Sequence, residues 1–233
     1  RGVAGMSLLF RITLGPVQPK GLVCCRYAVR SLQELYPEAR IVVCGNTDWA
    51  AGLGVECLPQ EAVSGLPAPQ VENWKFYPPR LDLTAHEIVL DNDVVLVNRL
   101  PEIAAFQRQE DVCLLMEDNA RNYGQFSNQV PFRSGINAGL FGMPPALDFG
   151  ELLRKFWQWQ GRKEWSPRYD DQGVLAALLR SRPHVLVPLR RVPFVGALDG
   201  LPPGCDGYHF IQLNSYRHHH RGWYEFTKLH AKL

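Results

Sequence analysis

Hydrophobic and polar positions change period repeatedly along the 233 residues, and those changes mark out the elements. Ser7 to Leu14 alternates weakly and stops at Gly15-Pro16, the pattern of a strand entering a loop. Leu22, Cys25, Val29, Leu32 and Tyr36 then recur at helical spacing, and Pro37 ends that helix. Arg40 to Cys44 is a β-branched run closed by the turn pair Gly45-Asn46, and Gly54 to Leu58 reads as a third short strand. A β-α-β start of this kind calls for a parallel sheet with a helix packed across it.

Past a loop from Glu61 to Gln70, the stretch VENWKFYPPRLDL is expected to be helical after Pro79, with its aromatic residues on the sheet. Glu87 to Asn98, EIVLDNDVVLVN, is a buried run interrupted by Asp91, Asn92 and Asp93. Pro101 opens a short helix, and Val112 to Met116 is a strand. The polar stretch from Glu117 to Ser134 has no period; a loop of that length is often functional, for instance a lid. INAGLFGM reads as a strand of small residues, followed by helices at Pro145 to Gln160 and Asp170 to Arg180. His184 to Val187 and Tyr208 to Leu213 are late strands, and Trp223, Phe226, Leu229 and Leu233 mark a closing helix. No repeat or linker divides the chain. Residues 1–233 are expected to form one α/β domain, a mostly parallel central sheet flanked by helices.

Composition narrows the function classes. The chain is 46% hydrophobic and 21% charged, an ordinary globular balance. Lys plus Arg number 25 against 23 Asp plus Glu, a net +2, so no global field favours nucleic acid or an anionic membrane. The 6 cysteines show no C-x-x-C spacing and fall mainly among apolar residues, as reduced thiols do. No run reaches the about 18 apolar residues of a membrane span. A cytoplasmic protein without a transmembrane segment is expected.

Asp91 and Asp93 carry the first candidate chemistry. Two carboxylates that close repel, so one takes a proton or a cation sits between them, and hard oxygen ligands favour Mg²⁺ or Mn²⁺. The same three residues also suit a simple turn, since Asp and Asn are turn formers. In SGINAGLFGM, the small residues Ser134, Gly135, Asn137 and Gly139 suggest either a bulge or the close approach of a ligand. RYDDQG puts Asp170, Asp171 and Gln172 at a helix start; an Asp N-cap accounts for one carboxylate and leaves the others unexplained. His209 sits in an apolar strand, where a core role competes with a ligand role. Arg217, His218, His219, His220 and Arg221 form a basic stretch behind it.

These stretches together resemble GT-A fold glycosyltransferases of the nucleotide-diphosphosugar transferase superfamily, particularly the retaining family 8. The resemblance rests on Arg80-Leu81, Leu90 to Asp93, Asn137 to Gly139, Asp171-Gln172 and His209-Phe210, in the family's order and over most of the chain. It implies a Rossmann-like GT-A domain and a metal-dependent, hexosyltransferase-like enzyme with a nucleotide-diphosphosugar donor and a saccharide, lipid or protein acceptor. Asp91, Asp93 and His209 would hold Mn²⁺ or Mg²⁺, with Asp91 serving the metal or the donor ribose. Asn137, Ala138, Gly139 and Asp171 would hold the donor sugar, with Gln172 near its anomeric carbon. Asp171 and Gln172 are thus the candidate catalytic pair. Arg80 would lie near the nucleotide, and Arg217 or Arg221 near the diphosphate. The family's His-x-x-Gly and Lys-Pro-Trp elements are altered: Gln212 stands at the glycine position, and Arg221-Gly222-Trp223 only approximates the rest. A non-catalytic glycan- or nucleotide-binding module on the same fold is the second reading. A sugar-phosphate nucleotidyltransferase is the third, suggested by GPVQPK but lacking a glycine-rich phosphate cradle.

Overall fold

A computed structural model describes residues 7–15, 19–45, 52–70, 73–130, 135–161, 164–166, 168–211, 213 and 220–231. The strands are β1 (Leu8–Thr13), β2 (Arg40–Cys44), β3 (Glu56–Leu58), β4 (His86–Asp91), β5 (Val94–Leu96), β6 (Cys113–Asp118), β7 (Gly135–Met143), β8 (His184–Val187) and β9 (Gly207–His209). The helices are α1 (Pro19–Leu35), α2 (Pro101–Gln107), α3 (Phe149–Gln160), α4 (Asp170–Leu179) and α5 (Arg221–Leu229). Seven strands form one sheet in the order β3-β2-β1-β4-β7-β6-β8, and β5 pairs with β9 in a separate ribbon. Only β7 runs against its neighbours, so the sheet is mostly parallel, as expected for an α/β chain whose strands are almost wholly apolar.

Helices cover both faces. Phe10, Ile12 and Leu90 of the sheet pack with Val29 of α1, Ile103 of α2 and Phe226 of α5. Val89, Leu115 and Phe141 face the other way, onto Trp157 of α3 and Leu175 of α4. Among the described residues no helix is long and apolar enough to cross a membrane.

Register brings several strand ends together. β1 and β4 are parallel with Thr13 opposite Asp91, so their carboxyl ends lie side by side. β7 is antiparallel to β4 with Leu90 opposite Leu140, which carries Asn137 to Gly139 past the last paired residue of β4. Ligand sites of open α/β sheets lie at this edge.

Two local expectations are corrected. The stretch after Pro79 is a series of bends and turns, and among the described residues the helical turn nearby is a 3-10 turn at Asn73–Phe76. Glu87 holds the backbone here: its Oε2 accepts from Leu81 N at 2.8 Å and Asp82 N at 3.2 Å. At the start of α4 the N-cap is Tyr169, at φ 62° with no side-chain cap, so Asp170 is not the cap.

Candidate functional site

Asp91 ends β4, Asn92 and Asp93 form a turn, and Val94 begins β5. The turn reading and the site reading therefore coincide. β9 lies antiparallel on β5 with His209 opposite Val94, and Phe210 N donates to Asp93 O at 2.9 Å. That ribbon sets His209 Nε2 3.4 Å from Asp93 Oδ1. One potential ligand atom from each of Asp91, Asp93 and His209 lies within 4.8 Å of the others. The second histidine nitrogen, Nδ1, is buried without a hydrogen-bond partner. Gly139 makes room for the ring: a Cβ there would stand 2.9 Å from His209 Nδ1 and 2.7 Å from Asn137 Oδ1. Two carboxylates and an imidazole fit a divalent cation of the Mn²⁺ or Mg²⁺ kind.

Lys75, on the 3-10 turn, supplies the site's own cation. Its Nζ lies 2.8 Å from Asp91 Oδ1, 2.9 Å from Asp91 Oδ2 and 2.8 Å from Asp171 Oδ2, and it donates to Ala138 O at 3.2 Å. A buried ammonium persists only with such partners. Burial works against its charge, but Asp171 and Asp91 outweigh it and hold the ammonium protonated well above the usual lysine range. Burial raises Asp91, with Lys75 opposing. For His209, burial favours the neutral ring, yet the Asp93 carboxylate lifts it above its usual value. Three carboxylates, those of Asp91, Asp93 and Asp171, thus crowd round one ammonium and one imidazole, a set in which a divalent cation would relieve the repulsion between carboxylates.

Beside this cluster runs a buried amide network. Asn137 Nδ2 donates to Asp118 Oδ2 at 3.1 Å and to Gln172 Oε1 at 2.9 Å, while its Oδ1 accepts from Gly139 N at 2.7 Å. Gln172 Nε2 donates to Asn122 O at 2.9 Å. Asp170 faces away from the cluster. Its carboxylate accepts from Gln125 N and Nε2 at 3.0 and 2.6 Å, and from Ser166 N and Oγ at 2.6 and 2.8 Å.

Asp91, Asp93, His209, Asn137, Ala138, Gly139, Asp171 and Gln172 are thus linked through contacts at one edge of the sheet. Arg80 is not among them. Its guanidinium donates to Met143 O, Ala85 O and Pro144 O and sits 3.7 Å from Glu87 Oε2, near the amino end of β4. Glu87 is about 13 Å along the strand from Asp91, at ~3.3 Å per residue. Arg221 pairs with Glu225 at 2.8 Å on the exposed side of α5. Arg217 lies outside the described residues. Sequence reasoning missed Lys75 and Asp118. The local signals are weak: Lys75 is the lone charge in NWKFY, and Asp118 follows the apolar run Val112 to Met116 only behind Glu117.

No protein-family model matches the chain, and no curated protein matches it in sequence. Solved structures do match it in shape. The galactosyltransferase LgtC, in complex with donor and acceptor sugar analogs, is 15% identical with a TM-score of 0.62, over 98% of this chain and 96% of that one. The bifunctional glycosyltransferase WbbM is 11% identical with a TM-score of 0.57, over 89% of this chain and 46% of that one. GlyE of Streptococcus pneumoniae is 13% identical with a TM-score of 0.52, over 78% of this chain and 45% of that one. Strand order, site position and these similarities agree: the chain has the GT-A fold of the glycosyltransferases.

Proposed function

We propose that the protein is a metal-dependent glycosyltransferase, one domain over residues 1–233, moving a sugar from a nucleotide-diphosphosugar donor to a saccharide, lipid or protein acceptor. The observation that carries the reading is the convergence of Asp91, Asp93 and His209, from segments over a hundred residues apart, on one edge of a GT-A sheet. Asp93 and His209, with Asp91, would hold Mn²⁺ or Mg²⁺, which as a Lewis acid offsets charge on the departing diphosphate. The chain's own residues do the positioning. Lys75 fixes the carboxylates of Asp91 and Asp171, and Asp171 accepts from hydroxyls of the donor sugar. Asn137 has both amide hydrogens spent on Asp118 and Gln172, so it orients Gln172 beside the reacting sugar and meets a donor hydroxyl only through the second lone pair of Oδ1. Retention of configuration and a hexose donor rest on the resemblance to family 8.

The test is thermal. Mn²⁺ with a nucleoside diphosphate raises the melting temperature, and Asp93→Asn removes the rise. A panel of nucleotide sugars giving neither stabilisation nor metal-dependent hydrolysis overturns the assignment. Stabilisation without hydrolysis or transfer identifies the non-catalytic binding module instead.

A further inference from the structure

The groups along the carboxyl edge of the sheet fall in strand order. Gly15 follows β1, Asp91 and Asp93 follow from β4, and Asn137 to Gly139 lie on β7 near Asp171 and Gln172. β1, β4 and β7 are successive neighbours, so at about 5 Å per strand these groups span roughly 10 Å. The β4 position offers carboxylates and an imidazole, suited to a cation and its diphosphate. The β7 position offers carboxylate and amide groups, suited to sugar hydroxyls.

At the β1 position the chain offers an aromatic side chain, partly packed on the core beside Tyr77. Trp74 is half-buried, whereas its neighbours Asn73, Lys75 and Phe76 are buried. Its ring lies against Gly15, which has φ +52°; a Cβ at Gly15 would stand 2.8 Å from Trp74 Cδ1. The buried Gln60 fixes the pair: its Oε1 accepts from Gly15 N at 2.9 Å, and its Nε2 donates to Trp74 O and Tyr77 O, each at 3.0 Å. Trp74 and Lys75 are consecutive, yet one side chain meets the end of β1 and the other meets Asp91 and Asp171. Between Asp91 and Asp93, the Asn92 Nδ2 is a buried donor without a partner, a group that an ordered ligand acceptor would satisfy.

We propose that Trp74 is the stacking wall for the nucleobase of the donor. This role rests on the nucleotide-diphosphosugar reading above. The chemical order of such a donor (base, ribose, diphosphate, sugar) then follows the strand order β1, β4, β7. A sugar ring can also lie on a tryptophan, but its hydroxyls find their partners at β7. Stacking is tolerant of base identity, because every base has a π-face.

Calorimetric titration of the full chain with UDP, GDP and inorganic pyrophosphate, each with Mn²⁺, tests the assignment. The wild-type protein binds both nucleotides more tightly than pyrophosphate. Trp74→Leu weakens UDP and GDP about ten-fold and leaves pyrophosphate unchanged. Trp74→Phe, which keeps a smaller ring, loses less than the leucine variant and carries the comparison if that variant does not fold. Nucleotide affinity unchanged in Trp74→Leu overturns the proposal. So does an equal loss for pyrophosphate, which would place the effect on the adjacent Lys75. Wild-type protein that binds pyrophosphate and nucleotides equally overturns the role of Trp74 while sparing the metal–diphosphate reading. Binding of none of the three overturns both.

Discussion

Gly139 shows how much of the site depends on one missing side chain. The edge of the His209 imidazole occupies the space that a Cβ would fill, 2.5 Å from Cε1 and 2.9 Å from Nδ1. Atoms that close cannot coexist, so either the ring or the strand must move. β7 is held by pairing along both sides, to β4 and to β6, whereas β9 pairs with the three residues of β5 and, on its other side, through a single bridge from His209 to Phe194. The ring is therefore the part that yields. Gly139→Ala is expected to retain the fold and to lose Mn²⁺ affinity at least ten-fold, read by titrating free Mn²⁺ with electron paramagnetic resonance. Unchanged affinity would show that His209 is not a ligand. Residues of this kind were partly legible in the sequence. The small residues of INAGLFGM announced a close approach, but what approaches comes from 70 residues later and has no local signature. Lys75 was missed for the same reason: its partners Asp91 and Asp171 are distant in sequence, and a lysine ordinarily reads as solvated.

Among the elements, the apolar strands and amphipathic helices were legible because burial imposes their period. The polar stretch between β6 and β7 was not. Expected as a candidate lid, it is tied down where the structure describes it. Asp118 Oδ1 accepts from Ala120 N, Gln172 reaches Asn122 O, Tyr123 OH accepts from Ile136 N, and Asp170 holds Gln125. Phe126 also packs edge-on against Phe156 and Trp157 of α3. Most of these partners lie more than ten residues away, so no periodicity reports them. The segment is thus a fixed wall joined to α4, and Asp170 is its main anchor. Asp170→Ala takes the acceptor from the backbone amides of Gln125 and Ser166, each costing about 1–3 kcal/mol where buried. The expected result is faster hydrogen exchange and protease cleavage confined to residues 119–130, with protection of the central strands retained. Uniform loss of protection across the sheet would show instead that Asp170 supports the whole fold.

At the scale of the whole molecule, the two ends of the sheet divide the work. The carboxyl end gathers the carboxylates of Asp91, Asp93 and Asp171 with Lys75 and His209. The amino end is closed by an ion cluster with no exposure at its centre: Arg11 Nε and Glu87 Oε1 are 2.9 Å apart, both fully buried. Arg11 also donates to Pro78 O, and Arg80 joins through Glu87 and the carbonyls of Ala85, Met143 and Pro144. β1, the bends after the 3-10 turn, β4 and the end of β7 thus meet on one carboxylate. This explains why Arg80, expected near a nucleotide, lies where it does: it closes the fold. Removing Glu87 would leave the Arg11 guanidinium, fully buried beside it, without its ion-pair partner, a change that costs roughly 3–5 kcal/mol in comparable buried pairs. For a chain of this size that corresponds to a fall in melting temperature on the order of 10 °C. Glu87→Gln keeps an acceptor for Leu81 N and Asp82 N and turns an NH2 group toward Arg11 in place of the charged oxygen, so comparison with Glu87→Ala separates the ion pair from the two amide bonds. Because Lys75 is carried on the chain just before the bends that Glu87 fixes, both variants measured well below their melting temperatures also test how far the two ends are coupled. If folded Glu87→Gln binds Mn²⁺ with nucleoside diphosphate as the wild-type protein does, stability and the candidate site are separable. A parallel loss of binding would instead make the buried ion cluster part of what aligns Lys75 with Asp91 and Asp171.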